Sequence, residues 1–142
     1  MTPVLPDAEG IVLEALRAYL PELGGRPVTH VIAMPNDWGR LFPLVMARKS
    51  AGSAVDPRYL DSSVFTVHAF ASDRREASLL ARSVRQALYT AAQAQFAATE
   101  YGGYLSHFRE VTGPMYSAGD TNLNHPDIYR FVASYLLNTR PS

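Results

Sequence analysis

Asp120, Asn122 and Asn124 stand two residues apart, the spacing of oxygen ligands that opens a calcium loop. The pattern then fails. His125 occupies the position where such a loop turns on Gly, and Phe131 the position of the bidentate Glu. The segment reads as a polar loop. Four histidines, His30, His68, His107 and His125, offer imidazole for metal binding or proton transfer. None pairs at helical i, i+4 spacing, and there is no H-E-x-x-H motif. Three of them fall in separate predicted strands, so ordinary sheet histidines account for them. His107, Arg109 and Glu110 could furnish a small acid–base enzyme. Alternation along a strand puts His107 and Arg109 on one face and Glu110 on the other, so the trio does not converge.

Other chemistries lack their anchors. The chain has no G-x-S-x-G elbow, no P-loop and no G-x-G-x-x-G. Gly102–Gly103 follows a predicted helix and precedes a strand, the wrong context for phosphate. The absence of cysteine excludes a disulfide framework and thiolate zinc sites. No cofactor or metal is expected. Arg74, Arg75, Arg82 and Arg85 share one predicted helix and could meet a phosphate backbone. Asp73 and Glu76 dilute that patch, and thirteen basic residues balance thirteen acidic ones over the chain. The set reads as a solvated or partner-facing helix side.

The elements that would position these residues follow from periodicity. The 142 residues suit a single domain, 1–142, with one core. Asp7 is an N-cap, and Ala8, Ile11, Val12, Ala15, Leu16 and Tyr19 recur at helical spacing until Pro21 and Gly24–Gly25. Strands are predicted over Val28–Met34 and Leu41–Arg48, with Pro43 marking an edge or a strand beginning. Lys49–Ser63 has no clear period and reads as a long loop, of a length that is usually functional or mobile. Val64–Ala71 is a third strand. Asp73, with Glu76 as a capping box, opens a helix whose stripe is Ala77, Leu80, Ala81, Val84, Leu88 and Ala91. Tyr104–Met115 and Asp127–Asn138 are the remaining strands, separated by a polar loop, Ser117–Pro126. Tyr129, Phe131, Ala133, Tyr135 and Leu137 share one face of the last strand. The fold class is α+β: a mostly antiparallel sheet of about five strands with two main helices packed on one face.

The N-terminal MTPVLPDAEG has no basic region and no long apolar core, so no signal peptide is expected. No apolar run of about 18 residues exists. Trp38 and the tyrosines at 59, 101, 104 and 116 sit near loops or strand ends. Such rings either line interfaces or pack locally.

The layout carries a resemblance. PDAEGIVLEALRAYLPEL precedes a strand ending in Met34–Pro35. Then come FPLVMARKSAG, the unit VFTVHAFASDRREASLLARSVRQAL, and a closing pair, REVTGPMYSAGD and DIYRFVASYLLN. This order resembles the tail terminator, or tail completion, proteins of long-tailed bacteriophages, especially those infecting actinobacteria, from about Pro6 to Asn138. Its nearest features are A-x-x-L-A-x-x-V-R-x-A-L from Ala77 to Leu88 and E-V-T-G-P from Glu110 to Pro114. Ala91–Tyr101 is longer and richer in alanine than the family's minimal unit, so it extends the helix or makes an extra contact.

The resemblance implies a virion protein without catalytic residues. It implies a homo-oligomer, usually a hexameric ring, at the head-proximal end of the tail tube. The ring stops tube growth and meets the head–tail connector or stopper protein, and genomic DNA passes through its bore without sequence-specific binding. Within the two predicted loops the candidate assembly contacts are Tyr59, Leu60, Asn122 and Asn124, with Trp38 nearby. Rival readings are another connector ring component, a small α+β enzyme, or a ligand-binding module.

Overall fold

A computed structural model of the chain describes residues 4–117 and 128–142. Helix α1 spans Ala8–Tyr19, and the Asp7 carboxylate accepts from the Gly10 amide at 3.3 Å. Its predicted stripe is buried from Ala8 through Leu16. The helix stops one residue before Leu20–Pro21. Strands β1 (Glu22–Leu23) and β2 (Arg26–Pro27) then form a tight hairpin. Gly24 and Gly25 both take positive φ there, +60° and +80°, which a two-residue turn requires.

Strand β3 (Thr29–Val31) is shorter than predicted, and a 3-10 turn follows at Trp38–Arg40. Strand β4 runs from Leu44 to Asp56 and β5 from Leu60 to Ala71. Pro43 marks a strand beginning: it directly precedes β4, and its carbonyl accepts from the Thr29 amide at 3.0 Å. Lys49–Ser63 is therefore no irregular loop. It is the outer half of a long antiparallel hairpin, turned at Pro57–Tyr59 and bulged between Lys49 and Ala51 and between Ala54 and Asp56. Its period was invisible because Arg48–Val55 is exposed on both faces, so no burial selects alternation.

Helix α2 spans Arg74–Gln93, with Asp73 accepting from the Arg75 amide at 3.4 Å. All six predicted stripe residues are buried. The capping box is only half made: Glu76 turns away to pair with Arg26 of β2. Gln95, at φ +51°, ends the helix, and the chain continues through β6 (Ala97–Ala98) and a 3-10 turn at Thr99–Tyr101. The Ala91–Tyr101 segment thus lengthens the helix and also makes a contact. Phe96 meets Tyr19 edge-on at 6.0 Å, and the Tyr101 ring lies against Gly10.

Strands β7 (Gly103–Tyr116) and β8 (Tyr129–Pro141) complete a six-stranded sheet of order β3-β4-β5-β8-β7-β6, rather than about five strands. Among the described residues β3–β4 is the one parallel pair, and the others are antiparallel. β5 and β7 are both antiparallel to β8, so they are parallel to each other. They form a β-α-β unit through α2 with β8 inserted between them.

The two helices share one core with alternate residues of the sheet: Val45 and Ala47, Phe65, Val67 and Ala69, Leu105, Ala133, Tyr135 and Leu137. They are not equivalent layers. α2 packs on β5, β8 and β7, whereas α1 packs on α2 and reaches strands near both edges. Adjacent residues of its first turn show this. Glu9 accepts from the Lys49 amide of β4 at 3.1 Å, while Gly10 abuts Tyr101 just before β7. The sheet curls around its helices, and α1 draws its margins together.

Candidate assembly surfaces

The β4–β5 hairpin is an arm. From Arg48 outward, β4 has lost its β3 neighbour, which pairs only at Leu44–Met46. Beyond the Lys49 amide, from which Glu9 accepts, no described strand pairs its outer edge, and two bulges interrupt it. At the tip, Arg58 makes two bonds to the Asp56 carboxylate, at 2.9 and 3.1 Å, and lies 5.5 Å from the Tyr59 ring centroid. That guanidinium holds the Asp56 carboxyl down to about 2. Val55 and Tyr59 are exposed, at 66% and 49%, and Leu60 is half-buried.

The opposite margin is β7. β6 covers Gly103 and Tyr104, and the Phe96 carbonyl accepts from the Leu105 amide at 2.9 Å, so among the described residues Ser106–Tyr116 is a second open edge. It is blunted by register shifts on either side of Thr112 and by Pro114, which has no amide to donate. Val111 and Met115 are exposed there.

Tyr59 and Leu60 come together at the arm's tip. Trp38 is not near them. Its ring lies 5.9 Å from Phe42 and 6.2 Å from Phe70, at the other end of β5. Ten residues of strand separate Leu60 from Phe70, about 33 Å. Asn122 and Asn124 lie outside the described residues, as do Asp120 and His125. The sequence missed both edges, because an edge is defined by a neighbour that is absent.

Among the described residues, the histidines and acids singled out from the sequence lie apart. His30 is buried, and its Nε2 donates to the Leu20 carbonyl at 2.7 Å. Burial pushes its pKa down, against that hydrogen bond, and nearby Arg17 adds to the lowering. His68 stacks on Phe70. His107 pairs with Asn138 and Arg109 with Leu136, on one face, while Glu110 pairs with Tyr135 on the other. Asp61, Ser63 and Thr139 are buried together at one end of the core, where Lys49 approaches Asp61 at 3.6 Å. Among the described residues no group of three His, Cys, Asp or Glu could hold a metal.

The described residues thus present two open strand margins and an exposed arm, with their titratable groups scattered. Residues 4–122 match the family described as phage tail termination protein. The chain belongs to the phage tail termination family. The match covers α1 through β7 and ends before β8, whereas the resemblance was expected to run to Asn138. No curated protein matches the chain. Among solved structures, a chain of the "Virion of native gene transfer agent (GTA) particle" is similar at 16% identity, with a TM-score of 0.47, covering 94% of each chain. The chain accordingly has a structural role in phage tails.

Proposed function

We propose that this protein closes into a ring, a hexamer in the family's usual form, that caps the head-proximal end of the tail tube. Family membership carries this reading. The ring ends tube polymerisation by competitive capping. One face binds the growing end, and the other recruits no further tube subunit but meets the connector or stopper protein. The genome passes through the bore, and no catalysis is involved. The arm from Arg48 to Leu60 supplies the contacts between neighbours or to the tube, with Tyr59 and Leu60 at its tip.

The strand polarity supports closure. Four long strands alternate across the sheet, so β4 and β7 run in opposite senses. A neighbour related by rotation about a ring axis brings its β7 beside this β4 in antiparallel sense. That is a heterologous contact able to close.

The test is growth of purified tube protein with this chain added. Capping predicts tubes that stop lengthening and carry a terminal ring, whose mass gives the copy number. Tubes that elongate unchanged at saturating protein would overturn the reading.

A further inference from the structure

The register of the sheet sorts its charges. Residues paired across antiparallel strands point to one side, so each can be assigned to the helix face or the helix-free face. Asp61 pairs with Thr139 and Glu110 with Tyr135, and both acids lie on the helix face. Arg48 pairs with Thr66, Arg109 with Leu136 and Arg140 with Tyr104, all on the helix-free face. His107 joins them opposite Asn138. Among the described residues of the sheet, Asp56 at the arm's tip is the single acid on this face, and Arg58 neutralises it. A chain of zero net charge thus keeps one sheet face almost free of acids.

None of Arg48, Arg109 and Arg140 has an ion-pair partner among the described residues. Between them stand Ser62, Thr66, Thr112, Ser134 and Asn138, small groups that donate hydrogen bonds. Arg48 and Arg109 are three strands apart, about 14 Å.

We propose that this helix-free face is the surface the protein turns to double-stranded DNA, contacted through its phosphates. The inference rests on the ring reading for its setting but not for its chemistry. Dispersed guanidinium and hydroxyl groups on an open sheet suit sequence-independent contact, which positions a backbone and reads no base. An acidic protein partner fits less well. A protein interface is anchored by exposed aromatic and apolar side chains. Among the described residues, the large exposed ones are Val4 ahead of α1 and Tyr19 at its end, Val55 and Tyr59 at the arm's tip, Leu79 and Tyr89 on α2, and Val111 in the β7 bulge, so Met115 is the one the register places on this face.

The experiment is a titration of the isotope-labelled full chain with a short DNA duplex at low salt, read by backbone NMR shifts. Shifts clustered at Arg48, Thr66, Arg109, Ser134 and Arg140 are expected. Three phosphate contacts give a log–log salt slope of about −2.7, so affinity falls about 40-fold between about 50 and 200 mM salt. R48Q/R109Q/R140Q should abolish the shifts, while R75Q/R82Q on α2 should not. Shifts confined to α2, or no binding by the wild-type chain, overturn the proposal. So does a triple variant that keeps DNA binding but no longer caps tubes, since the face then docks an acidic protein. Tube capping by the wild-type chain tests the ring reading separately: if it fails while the shifts map as expected, the ring reading falls and the DNA face stands.

Discussion

Glu110 of β7 accepts from Arg85 of α2 at 3.2 Å, and directly across the strand from Glu110 lies Tyr135, wholly buried. The pair is roughly 40% exposed on each side, so solvent screens it, and its own worth is at most about 1 kcal/mol. The side chain it stands over matters more. Burial, helped by the Glu110 charge, pushes the Tyr135 hydroxyl up to about 12. Among the described residues the hydroxyl has no hydrogen-bond partner.

Tyr135→Phe should therefore leave stability unchanged or raise it by about 1 kcal/mol, since it removes an unsatisfied buried group and keeps the ring packed on Phe108. Urea unfolding with an unchanged slope would register the gain. A loss above about 1 kcal/mol would mean the hydroxyl is paired.

His30 makes stability depend on pH. Its folded pKa lies below the ordinary 6.5, chiefly because it is buried. Below about 6.5 the unfolded chain binds a proton that the folded chain refuses, so acidification favours unfolding. Its contribution is complete above that value and is lost as pH falls toward the folded pKa. Unfolding midpoints at about pH 7.5 and 5.5 should differ in the wild type and differ less in His30→Gln. Equal differences in both would remove His30 from the account.

Gly10 faces the Tyr101 ring so closely that a Cβ would collide with it. Gly10→Ala should cost about 1–3 kcal/mol through overpacking, despite alanine's better helix propensity. Combining it with Tyr101→Ala should show strong non-additivity, because the second change opens the space the first one fills. Strict additivity would locate the cost elsewhere.

Trp38 and Tyr59 sit at opposite ends of β5 and should behave oppositely. Trp38→Ala uncovers Phe70 and Phe42 and should lower stability by about 1–3 kcal/mol. Tyr59→Ser should change stability by less than about 0.5 kcal/mol yet weaken tube capping. Thermal melts and tube-length counts on the same two variants separate the roles. A Trp38→Ala protein as stable as wild type but unable to cap would reverse them.

Residues with one buried side were legible in the sequence. The stripe from Ala77 to Ala91 and the alternation from Ala133 to Leu137 both report a face turned to the core. The same alternation separated Arg109 from Glu110. Lys49–Ser63 was illegible for the complementary reason: much of the arm is solvated on both sides and contains Gly52 and two bulges, so nothing enforces a period. Trp38 was misplaced relative to Tyr59 because its cover over Phe70 depends on where β5 ends, a tertiary fact. The place of β8 between β5 and β7 was also beyond a local reading, since pairing order belongs to partners distant in the chain.

That inserted strand has a consequence during synthesis. β8 is made after β4, β5, α2 and β7, yet it is the strand that joins them. Until the ribosome delivers it, β5 and β7 each lack their shared partner. Contacts this distant in sequence form late and slowly. The joined sheet can therefore form only after Tyr129–Pro141 has left the ribosome.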